Sequence, residues 1–173
     1  MPEPRSVTTA FDGAFFRVDI EDWEGVGSWD VVHHPGAAAV LPITPERDVL
    51  LVRQFRPPVR QALTEIPAGL MDVEGEDALT CAARELTEET GYRHTSIEFL
   101  GGYFSGAGFT DEYVHLFWAR TEADPVAAPE IGIEVERVPF DRMVAAARGG
   151  KVRDAKTALA LLLAATAAPL PST

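Results

Sequence analysis

From residue 16 to residue 119 the chain is cut into short apolar or alternating segments separated by turn residues, and only one clear helical period interrupts them. Phe16, Val18 and Ile20 alternate with Arg17, Asp19 and Glu21, and Trp29, Val31 and His33 repeat the pattern after the glycine-rich turn at 25–27. Such period-two alternation marks a half-buried strand. Residues 37–43 and 49–55 are apolar runs joined by Thr44-Pro45-Glu46-Arg47-Asp48, which predicts a hairpin. Further strands are expected at 63–66, 96–101, 113–119 and 131–138. The helical period covers 77–90 and stops at Gly91, a residue suited to a left-handed cap. Two more helices are expected, one on Phe140, Met143, Val144 and Ala147 and one over 155–167. Residues 1–12 are poor in apolar side chains and are expected to be mobile. The pattern as a whole predicts an α+β fold, a mixed β-sheet sandwiched between α-helices.

Composition narrows the function. A chain of 173 residues makes one ordinary domain. Its formal net charge of -12 would repel a phosphate backbone, so nucleic acid is not an expected partner. Cys81 is the single cysteine, which rules out an intramolecular disulfide and fits a reducing compartment. No basic segment followed by an apolar one opens the sequence, and the longest apolar stretch, 158–168, falls short of the roughly 20 residues a bilayer requires. A cytoplasmic protein with no membrane partner is expected.

The most informative segment is Arg84-Glu85-Leu86-Thr87-Glu88-Glu89-Thr90-Gly91. At about 100° per residue, Glu85, Glu88 and Glu89 share an arc of about 100° beside the apolar stripe of Leu79, Ala82, Ala83 and Leu86. Like charges at these spacings cost about 0.2–0.5 kcal/mol per pair in an isolated helix. A hard divalent cation reverses that sign, since Mg²⁺ takes carboxylate oxygens together with substrate phosphates. The competing reading is a solvated acidic face with Arg84 paired to Glu88.

The segment before the helix decides between them. Glu76-x7-Arg84-Glu85-Leu86-x-Glu88-Glu89-x-Gly91-Tyr92 resembles the Nudix hydrolase box, Gly-x5-Glu-x7-Arg-Glu-U-x-Glu-Glu-x-Gly-U with U apolar. One departure stands out: six residues, not five, separate Gly69 from Glu76, which places an extra residue in the turn between Leu70 and Gly75. Three more stretches are similar to the ADP-ribose pyrophosphatase branch of that superfamily: Val52-Arg53-Gln54-Phe55-Arg56-Pro57-Pro58, Glu65-Ile66-Pro67-Ala68-Gly69-Leu70, and the loop Gly106-Ala107-Gly108-Phe109-Thr110-Asp111-Glu112. The tail Gly149-Gly150-Lys151-Val152-Arg153-Asp154-Ala155-Lys156-Thr157 extends the similarity to about residues 15–165.

The resemblance implies a Nudix fold over 36–173, preceded by N-terminal strands (1–35) that contribute to a homodimer. It implies hydrolysis of a nucleoside diphosphate linked to another group, ADP-ribose or another ADP-sugar first, with Mg²⁺ or Mn²⁺ as cofactor; the alternatives are a dinucleoside polyphosphate, GDP-mannose or NADH as substrate, and, in another class, a non-catalytic nucleotide-sensing domain. By position, Glu85, Glu89 and the carbonyl of Ala68 resemble metal ligands, Glu88 a further ligand or water-orienting group, and Arg84 a residue that orients a glutamate. Glu130 is the candidate for a late ligand or base, with Glu134 as the alternative. Arg56 would hold a phosphate or form an ion pair, and Glu65 would sit beside the metal or pair with an arginine. Trp29 is placed to stack on adenine or to cover the core, and Phe109 has the same two roles open. The four histidines show no metal-ligand spacing and are expected to be structural, and Cys81 is expected to be buried and inert.

Overall fold

The computed structural model describes residues 3–166, so residue 167 of the last expected helix lies outside the described residues. Two sheets form. Strands β1 (Ser6–Asp12), β2 (Arg17–Trp23) and β3 (Gly27–His33) make an antiparallel three-stranded sheet in sequence order. The second sheet has β4 (Ala37–Ile43), β5 (Asp48–Arg56), β6 (Gln61–Glu65), β7 (Ala68–Leu70), β8 (His94–Phe104), β9 (Tyr113–Thr121) and β10 (Glu134–Pro139). Its path runs β10-β5-β4-β9-β8, with β6 on β5 and β7 on β4, and only β4–β9 is parallel.

Alternation along β4 organises the core. Ala39, Leu41 and Ile43 face the side covered by α2 (Phe140–Arg148) and α3 (Ala155–Thr166), together with Phe140, Val144, Ala160 and Leu161. Ala38 and Val40 face the other side, where α1 (Ala78–Thr90) lays down Cys81, Ala82 and Leu86. Successive side chains of a strand point to opposite faces, so a strand apolar throughout must be covered on both. The expected mixed sheet between helices is therefore the one observed. Cys81 is fully buried as expected, and burial pushes its thiol up to about 11.

The expected hairpin of β4 and β5 is a fork. Thr44 N–H donates to the Asp48 carbonyl at 2.9 Å and Arg47 takes a left-handed conformation, which closes the turn, but the strands share only the pair Ile43↔Val49. Beyond it β5 turns to β6, and β4 to β7. Ile66 and Pro67 bridge the gap from β6 to β7. Leu86, fully buried, anchors α1 against this region, and a change to Ala there would cost about 2–5 kcal/mol.

Several boundaries differ from the sequence expectation. Residues 6–12 are not mobile but form β1, paired with β2, and every one of them is exposed. The ladder's hydrogen bonds carry that strand, so its apolar content gave no signal. Strand β8 runs past Gly101 to Phe104 because the register shifts between Phe99 and Gly101, and a glycine there (φ 155°) lets the chain continue through a bulge. Strand β10 starts later than expected because Ile133 N–H closes a turn on the Glu130 carbonyl and Gly132 has φ 94°. Residues 68–70, outside the expected strands, pair with β4 as β7.

Candidate active site

Helix α1 begins and ends by local chemistry. Asp77 caps its N-terminus by accepting from the Thr80 N–H at 2.8 Å, and Gly91 closes it in a left-handed conformation (φ 79°), its N–H donating to the Thr87 carbonyl at 2.9 Å. These caps fix which face turns toward the fork. On that face lie Glu85 and Glu89, with Glu88 exposed next to them.

Arg84 gathers the helix acids. Its Nε and Nη2 donate to the two oxygens of Glu76 at 2.9 and 3.0 Å, and its Nη1 donates to Glu85 Oε1 at 2.5 Å and Glu88 Oε2 at 2.9 Å. Hydrogen bonds donated to Glu76, Glu88 and Glu85 hold the guanidinium firmly in its charged form. The expected orienting contact to a glutamate is present, and so is the Arg84–Glu88 pair of the competing reading. The extra residue before the helix is absorbed in the turn, where Glu76 N–H donates to the Val73 carbonyl and Gly75 has φ 79°.

Glu89 is buried, and its Oε2 accepts the Ala68 N–H at 3.0 Å. Burial pushes its carboxyl up to about 7; the Ala68 N–H opposes the rise and Glu85 adds to it. Burial also raises Glu85, with Arg84 opposing and Glu88 and Glu130 reinforcing. Gly69 explains how Glu85 fits: a Cβ built there would lie 1.8 Å from Glu85 Oε1. Glu130 is joined to the helix by its backbone, its N–H donating to the Glu88 carbonyl at 2.9 Å, whereas Glu134 lies exposed on β10.

On the β5–β6 arm of the fork, Arg56 grips Glu65 with two parallel bonds, Nε to Oε1 at 2.8 Å and Nη2 to Oε2 at 2.9 Å. Lys156 also donates to Glu65 Oε2, and to Asp154 Oδ1 at 2.9 Å. Burial alone would raise the Glu65 carboxyl, but Arg56 and Lys156 together hold it below its ordinary value. The ion pair expected as one reading of both Arg56 and Glu65 is thus formed. Arg56 and Lys156 also draw down the Glu89 carboxyl, so two cations border the acidic cluster. Sequence reasoning did not single out Lys156. Its segment had been matched to the family's tail, but its closeness to Glu65 depends on α3 packing on the sheet, a contact across 91 positions.

Carboxylate oxygens are hard ligands, and the donor set fits a hard divalent cation. Glu85 and Glu89 are both raised by burial and by neighbouring carboxylates in spite of the nearby cations, the electrostatic mark of a cluster that a further positive charge would stabilise. The glycine at 69 leaves that cluster room.

Trp29 and Phe109, distant in sequence, line one apolar pocket of about 440 Å³ together with Trp23, Val26, Val31 and Phe104. The glycine-rich loop is fastened to β3 there. Val32 N–H donates to the Phe109 carbonyl at 2.8 Å, and Asp111 N–H donates to the Val32 carbonyl at 3.1 Å. Both rings are exposed, which does not match the alternative that they cover the core.

A family model described as the NUDIX domain matches residues 32–161. The chain is 35% identical over 159 residues to an ADP-ribose pyrophosphatase of Bacillus subtilis (strain 168), covering 87% of this chain and 85% of that protein. It is 31% identical over the same shares to a methanol dehydrogenase activator of Bacillus methanolicus. A GDP-mannose pyrophosphatase of Yersinia enterocolitica is 34% identical over 137 residues, 73% of this chain and 71% of that protein.

Proposed function

This chain belongs to the NUDIX family and is a pyrophosphohydrolase, and on that premise we propose that it splits ADP-ribose, or a related ADP-sugar, with one water into AMP and ribose 5-phosphate. The observation that carries the reading is the buried Glu89 carboxylate beside Glu85, with Ala68 and Gly69 packed against them. Glu85, Glu89 and the Ala68 carbonyl would hold Mg²⁺ or Mn²⁺, which supplies charge neutralisation at the phosphoryl group and a lowered pKa for the attacking water.

The remaining work belongs to the chain's own residues. Arg84 keeps Glu85 and Glu88 oriented, a role supported by its contacts to both and to Glu76. Glu88 or Glu130 accepts the proton of the water. Both are on the solvent side of the cluster, and their backbones are tied together. Arg56, held by Glu65, stands at the cluster's edge to contact a phosphate oxygen, a geometry arginine suits. Trp29 and Phe109 flank the adenine ring in the apolar pocket. We further propose that residues 1–35 join two copies into a homodimer. The exposed Val7, Phe11 and Phe15 are the surface for it, and light scattering of the pure protein gives the test. Among the described residues no helix is long and apolar enough to cross a membrane.

Incubating the protein with Mg²⁺ and a panel of ADP-ribose, GDP-mannose and NADH should release AMP fastest from ADP-ribose. Preferential cleavage of GDP-mannose, as the Yersinia relative's name would suggest, overturns the substrate; no cleavage of any panel member overturns the activity.

A further inference from the structure

The three-stranded sheet contains a second group of ligand-type side chains, apart from α1. Asp19 and Glu21 lie two apart on β2 and so share one face; β3 places Val31 opposite Asp19, and His33 lies two further along β3 on the same face. One ligand atom from each of Asp19, Glu21 and His33 falls within 4.8 Å of the others. His33 Nε2 is 3.3 Å from Asp19 Oδ2 and 3.5 Å from Glu21 Oε1. Asp19 and Glu21 are buried, at 2% and 7% exposure.

Two features make this more than an acidic cluster. Asp19 Oδ1 and His33 Nε2 are buried and have no hydrogen-bond partner, a costly state for groups of this kind. Although two carboxylate oxygens lie within reach of Nε2, neither meets it in hydrogen-bond geometry. Three of the four remaining polar atoms are committed, Glu21 Oε1 being the exception. Asp19 Oδ2 accepts from Arg17 Nε at 3.0 Å, and Glu21 Oε2 accepts from the Trp23 indole N–H at 2.9 Å. His33 Nδ1 is 2.7 Å from Asp111 Oδ2, while Asp111 Oδ1 accepts the His34 N–H at 2.8 Å. A carboxylate on Nδ1 fixes the tautomer that leaves the Nε2 lone pair free, the arrangement that accompanies metal-bound imidazoles.

We propose that Asp19, Glu21 and His33 form a second metal site, one for a zinc-type divalent cation, with Asp111 positioning the imidazole. Tetrahedral zinc with bonds of about 2.0–2.2 Å keeps its ligand atoms about 3.3–3.6 Å apart. The two distances from Nε2 match that edge, and Asp19 Oδ2 would share its lone pairs between the ion and Arg17 Nε. One imidazole with two carboxylates favours zinc-type ions over Mg²⁺, which prefers oxygen alone. An ion here would tie β2 and β3 to the glycine-rich loop through Asp111, and so stiffen the wall of the Trp29–Phe109 pocket, which Glu21 and Asp111 also line. The site requires no assumption about the reaction catalysed.

The test uses the full chain carrying Glu85→Gln and Glu89→Gln, which silences the helix cluster, with Co²⁺ as a visible probe and Zn²⁺ as competitor. One equivalent of Co²⁺ should bind with the visible absorption of a low-symmetry site, quench tryptophan fluorescence through Trp23, and be displaced by Zn²⁺. Adding His33→Gln or Asp19→Asn should weaken Co²⁺ binding by about tenfold or more. No saturable binding, or binding that both substitutions leave intact, overturns the proposal. A check that does not depend on any variant folding is anomalous scattering at the zinc edge from wild-type crystals grown with Zn²⁺. A peak bonded to His33 Nε2 is expected, and its absence refutes the site.

Discussion

The molecule assembles acidic side chains in two ways, and the two were not equally readable. On α1, Glu85, Glu88 and Glu89 converge because one helical turn brings them together, so their spacing in the chain already reveals the cluster. In the N-terminal sheet, Asp19, Glu21 and His33 converge because two strands pair in one register, and Asp111 joins from a loop 78 positions beyond His33. Local geometry writes a cluster into the sequence; strand pairing does not. The four histidines were expected to be structural for that reason, since none belongs to the helix whose spacing gathers the acids.

The strongest way to break this contrast is Glu89→Gln. It should lower kcat/KM on ADP-ribose by roughly a thousandfold, the scale on which lost charge stabilisation is felt at a reacting centre. The far-UV circular dichroism should not change. Retained turnover would reduce the helix cluster to an acidic surface. Gly69→Ala comes next. The new methyl would meet the end of the flexible Glu85 side chain, which can swing away, so stability should fall by less than about 1 kcal/mol while turnover falls by about a hundredfold. Equal losses of stability and activity would show that Gly69 serves the fold and not the cluster.

Glu65→Gln tests the cationic border. Removing the charge shared by Arg56 and Lys156 should cost about 2 kcal/mol in urea unfolding at pH 7. Because the Glu65 carboxyl sits below its ordinary value, the wild type's advantage should be complete above about pH 4.5 and vanish as the pH falls further. The smallest effect has the opposite sign. Glu89 is raised to about 7, so its contribution to stability is full below the unfolded value near 4.5 and is lost as pH rises through 7. In a chelator, Glu89→Gln should therefore melt a few degrees above the wild type at pH 8 and level with it near pH 4, as followed by calorimetry.

What was legible follows the same division. The C-terminal cap of α1, the box glutamates and the apolar run of β4 each depend on residues close in sequence, and all were read from it. The fork between β4 and β5 was not, because a turn sequence specifies how a hairpin starts and not how far its strands stay together. Lys156 was missed for want of any local sign that α3 would bring it to Glu65. Strand β1 was missed because its residues bury nothing.

The stretch after β9 hangs from the end of α1 by main-chain hydrogen bonds. The Gly91 carbonyl accepts from Val126 at 2.8 Å and from Ala127 at 3.3 Å, and the Glu88 carbonyl accepts from Glu130. No substitution short of proline can delete such a tether. Side chains of this segment other than Glu130 are thus free to diverge while it remains moored beside the acids, so new selectivities can be tried there without recasting the hydrolytic core.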